Sequence, residues 1–423
     1  MTPAVEVRPT RVRYAVLAMV FSAAFITYLD RVAISVAAPL MQSDLHLTQI
    51  QFGWAFTAFY LAYGVLEMPS AWLGDRWGQR RMLIRIVCCW SLFTILTGTV
   101  RSYGALLITR TAFGAAEAGA FPTLSRALSR WFPVAERSRA NGVMWTGARA
   151  GGALAPALAV MLIAAAGWRW SFAVLGAIGV AWVLVCVFWY RDDPADHGGV
   201  NRAELEIVRV GSTPPPNESQ RVPWARMVSD PNMLRLFTAY FASGFGFQFF
   251  VTWMPTYFTR EFGTSLTKSG FYSGLPLAAG AVGCFLGGLI ADAITRRTGS
   301  LVLGRRTVGC GGFFLGAAGY LAAISMHSPE AAAGCLALAS GSHDLMLPVL
   351  WATCTDAGGK FGGSSSGFIN FASCISGVAA PLVAARLEQI FGSFNSVFYV
   401  AAGLYVMGGI TWLFIDPRKS IDS

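Results

Sequence analysis

The chain has 423 residues, of which 55% are hydrophobic and only 13% charged, with a formal net charge of +10. Soluble domains carry about 25% charged residues, and the ordinary reading of this length as two or three soluble domains fails because apolar runs of about 20 residues recur along nearly the whole chain. Nucleic-acid binding is argued against as well, because the positive charge does not gather into a basic face on a soluble module.

Twelve runs are expected to be spanning helices. The first, 14–40, is too long for the h-region of a signal peptide and carries Asp30 and Arg31, so it reads as a retained helix. Runs 50–73 and 82–101 follow, the first of them holding Tyr63 and Glu67. The fourth, 104–127, contains LLITRTAFGAAEAGAFPTL, with Arg110 and Glu117 seven residues apart and therefore on one helical face. Hydrocarbon is where charge is most costly, so an acid and a base kept there suggest a pathway for ions or charged solutes. The fifth and sixth runs are 139–162, with Arg149, and 169–190.

The polar stretch 191–231 holds RDDPADHGGVNRAELE and STPPPNESQ, which is linker-like composition, and it divides the runs six and six. Beyond it come 233–258, 269–292, 305–325, 331–355, 365–387 and 394–415. With both termini cytoplasmic, 24 of the 32 Lys and Arg fall on the cytoplasmic side, five on the other and three within spans. This is the positive-inside pattern. All eight cysteines fall in apolar spans without metal-ligand spacing to His, and read as small core residues. The sequence presents no metal cluster, no cofactor motif, no P-loop and no nucleophile–base–orienter set, so neither an enzyme nor an ATP-driven pump is expected.

The halves carry a weak repeat. SAWLGDRWGQRR ends the second run, with Asp75, Gly78, Arg80 and Arg81; GGLIADAITRRTG ends its counterpart, with Asp292, Arg296 and Arg297. Each places an acid at a helix end before a short basic loop. Two six-helix bundles related in this way suit a two-lobed carrier, with substrate at mid-membrane between the lobes. The element Ala71-x-x-x-Asp75-Arg76-x-Gly78-x-Arg80-Arg81 resembles the loop motif of the major facilitator superfamily, which usually has Gly where this chain has Ala71. GWRWSF at 167–172 resembles the start of that superfamily's sixth helix. Further stretches are similar to its anion:cation symporter branch, which includes bacterial hexonate and hexuronate carriers and vesicular glutamate and sialic acid carriers. They are YLDR (28–31), FYLAYGVLEMPSAWLGDR (59–76), Arg110…Gly114…Glu117, WFPVAERSRANG (131–142), WMPTYF (253–258) and IDPRKSI (415–421). The resemblance implies an all-α membrane protein of twelve helices in two bundles, 1–190 and 232–423, joined by a cytoplasmic loop over 191–231.

Arg31 and Arg110 are candidate anion anchors, since guanidinium stays charged and holds a carboxylate with two parallel hydrogen bonds. Either could instead neutralise a nearby acid. Asp30 and Glu117 are candidate proton carriers: an arriving anion competes for the arginine that stabilises them, and the freed acid takes a proton. The resemblance assigns substrate carboxylate to Arg31, the proton site to Asp30 and Glu117, and its support to Arg110. Tyr28 and Tyr63 are pocket candidates, against packing at the membrane interface. Arg149 could hold a second acidic group, snorkel to the cytoplasm, or offset an acid. Gln248 and Asn370 could bind hydroxyls or join helices. His343 and Asp344 could touch substrate, take part in protonation, or form a satisfied interhelical pair. Glu67, Asp75, Arg76, Gly78, Arg80, Arg81 and Asp292 are assigned to gating and to the conformational loops.

The expectation is a monomeric inner-membrane carrier, both termini cytoplasmic, that imports a small organic anion, a sugar acid or related carboxylate, together with protons. An anion exchanger or exporter, an importer of aromatic or dicarboxylic acids, and a non-transporting sensor are the alternatives.

Overall fold

The computed structural model describes residues 8–47, 49–210 and 222–421. STPPPNESQ therefore lies outside the described residues. Among them are fifteen α-helices, three 3₁₀ turns and no strand. The first half holds α1 (Val12–Leu45), α2 (Gln49–Trp77), α3 (Gln79–Thr97), α4 (Tyr103–Glu117), α5 (Ala120–Trp131) and α6 (Arg137–Phe188). Two short helices, α7 (Arg202–Arg209) and α8 (Trp224–Ser229), lie in the linking stretch. The second half holds α9 (Pro231–Thr252), α10 (Met254–Phe262), α11 (Leu266–Thr298), α12 (Leu301–Ile324), α13 (Pro329–Ala357), α14 (Gly362–Phe391) and α15 (Asn395–Leu413).

Among the described residues six helical stretches are long and apolar enough to cross a membrane by length and composition alone. The others carry charges or are broken. The fourth crossing is split into α4 and α5 and the seventh into α9 and α10, while α6 is two helices, the fifth and sixth crossings, that meet at Gly167, whose backbone (φ 75°, ψ 164°) is not helical. Counted so, the chain makes twelve crossings, six in each of two bundles. In the first bundle α1 and α3 lie on α6, and α2 on α4; in the second α13 lies between α11 and α12, and α9 between α14 and α15. The bundles meet along α2 with α14, and along α6 with α11 and α13.

Bonds between the bundles run from mid-helix to the face that carries both chain ends. On that face Asp75 accepts from the Gly363 amide (3.0 Å) and from the Ser364 amide (2.6 Å) and hydroxyl (2.7 Å). It thereby caps the N-terminus of α14, where free amides and the helix dipole favour an anion. Asp292, its counterpart on α11, accepts from the Arg139 amide (2.9 Å) at the start of α6. Arg137 of α6 and Arg305 of α12 converge on Asp356 of α13. The main hydrophobic core runs unbroken through both bundles at this level, while a separate cluster around Leu29, Ile34, Phe52 and Trp168 fills the far end of the first bundle. The structure is closed on the terminus-bearing face.

The linking stretch is less linker-like than its composition suggests. Asn201 caps α7 by accepting from the Glu204 amide (2.9 Å), and Glu204 in turn caps α1, accepting from the amides of Val12 (3.2 Å) and Arg13 (3.1 Å). A polar tail segment and a polar loop thus satisfy each other's backbone, as buried amides require.

Candidate transport site

Asp30 and Arg31 sit midway along α1, and Arg110 and Glu117 on α4. Glu117 is the last residue of α4. The chain breaks there because Gly119 takes φ +83°, and a Cβ at that position would lie 2.6 Å from Cβ of Ser70. Glycine alone fits such a backbone at so close an approach. The break turns the Gly119 amide onto Glu67 of α2 (2.8 Å) and leaves Glu117 facing α1.

Glu117 pairs with Arg31, Nη2 to Oε1 2.6 Å, rather than with Arg110. The Arg31 guanidinium lies 5.1 Å from the ring centres of Tyr28, Phe59 and Tyr63, a cage of electron-rich faces. Its side chain is 15% exposed, whereas that of Glu117 is fully buried. Arg110 rests on Phe59 (5.0 Å) and Phe113 (4.7 Å) and forms no ion pair among the described residues. It stands within electrostatic reach of Asp30, Arg31 and Glu117. Asp30 is buried, with one long bond from the Thr94 hydroxyl (3.4 Å). Among the described residues Asp30 Oδ1, Arg31 Nε, Arg110 Nε and Glu117 Oε2 are buried without a hydrogen-bond partner. Four such atoms in one cluster depart from the rule for buried polar groups and call for an explanation.

A second cluster bridges the bundles. Arg149 of α6 grips Asp344 of α13 with two bonds, Nε to Oδ2 2.8 Å and Nη2 to Oδ1 2.9 Å. His343 places Nδ1 2.8 Å from Asp344 Oδ1, and its Nε2 meets the Ser243 hydroxyl of α9 at 2.6 Å. Nearer the terminus-bearing face, the Asn370 amide of α14 donates to Glu67 (2.6 Å) and Tyr63 (3.2 Å) of α2. Gln248 of α9 leans on the Gly377 carbonyl of α14 (3.5 Å). Asn370 thus bridges α14 and α2 across the bundles, on the same Tyr63 that stands against Arg31.

The loop residues also have places. Arg80 donates its amide to Asp192 (2.8 Å) and its guanidinium to the Val187 carbonyl, tying α3 to the end of α6. Burial lifts the Asp192 carboxyl above its ordinary range, against the pull of that amide. Arg76 and Arg81 are exposed, Arg76 above the Trp72 ring, and Gly78 makes the turn with φ +85°. The close helix approach that a Gly would serve at Ala71 is supplied from across the interface by Gly367, where a Cβ would lie 2.5 Å from that of Ala71.

Several residues of the site were not legible. Trp145 and Trp351 meet across the bundles at 5.5 Å, with Phe121 stacked on Trp145 at 4.5 Å. Asp356, Arg137 and Arg305 form a buried charge cluster that hydropathy assigns to loop ends. Its one sequence signal is an acid placed beside the glycine-rich turn DAGGKFGG at 356–363.

Residues 20–381 match the family model for the Major Facilitator Superfamily. The chain is 35% identical over 419 residues to the probable sulfoacetate transporter SauU of Cupriavidus necator, covering 98% of this chain and 96% of that one. It is 30% identical over 427 residues to the D-galactonate transporter of Escherichia coli O6:H1, covering 98% and 97%. Among solved structures the superfamily transporter FucP, in its outward conformation, superposes with a TM-score of 0.78 at 15% identity, covering 96% of this chain and 100% of FucP. The fold, the sequence match and the charge-bearing bundle interior agree: the chain belongs to the Major Facilitator Superfamily of multi-pass membrane transporters.

Proposed function

We propose that this protein is a proton-coupled symporter of a small organic anion, a sugar acid or related carboxylate, working by alternating access in the inner membrane. The observation that carries the reading is Arg31, partly exposed within an aromatic cage and held by a buried Glu117 at 2.6 Å. A substrate carboxylate competes with Glu117 for the guanidinium. A buried carboxylate deprived of its cation is too costly to persist, so Glu117 takes a proton as the anion binds. Asp30, buried beside it with one oxygen unpartnered, holds the second proton, and Arg110 supports whichever acid is charged. Tyr28 and Tyr63 line the anion site, with Gln248 and Asn370 facing it from the second bundle.

The moving units are the bundles 1–190 and 232–423, joined by 191–231. Both termini face the cytoplasm, a reading supported by the 24 of 32 Lys and Arg on that side. The closed terminus-bearing face then makes this an outward-facing state. The relatives, named for sulfoacetate and D-galactonate, support an organic anion as cargo. A monomer contains the whole proposed site.

The test is uptake into proteoliposomes of labelled hexonates, hexuronates, dicarboxylates and aromatic acids, with and without an inward proton gradient. Gradient-dependent accumulation is expected for at least one acid, and Asp30→Asn is expected to abolish accumulation while leaving counterflow exchange. Equilibration indifferent to the gradient, or accumulation that survives loss of both Asp30 and Glu117, overturns the proton assignment.

A further inference from the structure

The two charged clusters differ in one respect that the proposed symport does not use. Arg31 and Glu117 belong to the same bundle and stay together when the bundles rock. Arg149 and Asp344 belong to different bundles, and their side chains are 5% and 1% exposed. Removing one partner of a buried ion pair costs about 3–5 kcal/mol, because the other charge is left uncompensated. Any motion that parts α6 from α13 at this level therefore needs a new partner for each.

Asp344 has a neighbour within its own bundle that compensates its charge once protonated. His343 lies 2.8 Å from it, and the Ser243 hydroxyl holds the far side of that imidazole. Arg149 has none. Among the described residues its other neighbours are the faces of Phe247 (4.1 Å) and Trp145 (5.9 Å) and the Cys284 thiol, and no second acid travels with it. It is instead connected to the anion site. Tyr28, whose ring centre is 5.1 Å from the Arg31 guanidinium, sits against Gly152, one turn beyond Arg149, where a Cβ would touch it at 3.4 Å. Tyr28 leads through Phe121 to Trp145 beneath Arg149.

We infer that Arg149 is a second anion anchor, latched to Asp344 in the empty protein, and that the preferred substrates are anions with two acidic groups. This rests on the organic-anion reading above. One acidic group takes Arg31 from Glu117. The other takes Arg149 from Asp344, which falls back on His343. With both arginines supplied from the substrate, the bundles part without stranding a buried cation. An anion with one acidic group satisfies Arg31 and leaves the latch shut.

The test is titration of purified transporter, followed by tryptophan fluorescence, with sulfoacetate and D-glucarate as two-acid probes and D-galactonate and acetate as one-acid probes. The two-acid probes are expected to bind at least about tenfold tighter, the value of one added charge-assisted contact. Arg149→Gln alone strands Asp344, so the informative variant is the double replacement Arg149→Gln with Asp344→Asn, in which the ratio falls to about one. As a second measure, Asp344→Asn alone releases Arg149 and is expected to tighten two-acid binding. A two-acid preference undiminished in the double variant overturns the inference, as does equal binding of both classes by the unaltered protein. If no organic acid binds the unaltered protein, the organic-anion reading itself fails, which is a separate result.

Discussion

Asp75→Asn keeps the shape of the side chain and removes the charge that fastens α2 to α14. The carboxylate takes two backbone amides and a hydroxyl at 2.6–3.0 Å, with Arg126 Nε 3.8 Å away. Asparagine offers one acceptor oxygen and turns its NH2 toward a helix N-terminus that is already rich in donors. Losing a cap costs about 0.5–2 kcal/mol, and a hydrogen bond to a charged group is worth about 1.5–3 kcal/mol. Taken as partly the same energy, these give about 2–3 kcal/mol. The loss falls on the state closed at this face, because water reaches the freed amides once the bundles part. At about 1.4 kcal/mol per tenfold, a sparsely populated open state gains about 30- to 100-fold. Cys284 reports it: the side chain is fully buried on α11, where a Cβ on Gly142 of α6 would lie 2.7 Å from its carbonyl oxygen. With the other seven cysteines replaced, alkylation of Cys284 in inside-out vesicles is expected to quicken by about thirtyfold or more, the lower end of that population shift. An unchanged rate refutes the claim that Asp75 holds this face shut.

Asp292→Asn acts in the same direction with a smaller effect, because Asp292 accepts one backbone amide and the Ser138 hydroxyl where Asp75 accepts two amides and a hydroxyl; the same alkylation assay ranks the two. Glu204→Ala leaves the first amides of α1 uncapped and is expected to cost about 1–2 kcal/mol, seen as faster hydrogen exchange at residues 12–16; unaltered exchange there removes α7 from the account of α1. Gly119→Ala forces a Cβ onto Ser70 at a φ that alanine rarely adopts. It is expected to cost about 1–3 kcal/mol and to weaken the Arg31–Glu117 geometry, read as a lower melting temperature together with poorer anion binding. Binding and melting indistinguishable from the parent would show that the break after Glu117 is dispensable.

The all-helical fold of long apolar runs and the charges set in mid-helix were legible, because burial in hydrocarbon leaves strong one-dimensional marks: long apolar stretches and costly exceptions to them. Pairing leaves no such mark. Seven-residue spacing puts Arg110 and Glu117 on one ideal helical face, yet the helix ends at Glu117 and the acid meets Arg31 of α1 instead. Arg137 and Arg305 look like loop charges by position, but bundle-to-bundle packing buries them on Asp356. For Arg149 three readings stood open on sequence, and the contact with Asp344 across the bundles is a fact of tertiary structure alone. The order in the linking stretch could have been found, since Asn201 followed three residues later by Glu204 is the spacing of a helix-start capping pair.

Where a charge pair sits relative to the moving boundary decides what it can do. A pair inside one bundle keeps its geometry through the transport cycle, so its energy changes only when something else binds or a proton arrives; that suits Arg31 and Glu117 to sensing substrate. A pair that spans the boundary is broken by the motion itself, so it resists movement until each partner has been compensated; that suits Arg149 and Asp344 to withholding movement. Asp75 and Asp292 extend the same logic to the terminus-bearing face, where the partners are helix ends that water can satisfy once exposed. The barrier they set is therefore lower than that of the Arg149–Asp344 pair, whose buried guanidinium has no substitute but an anion. Of these interfacial contacts, the arginine pair is the one whose release depends on what is being carried.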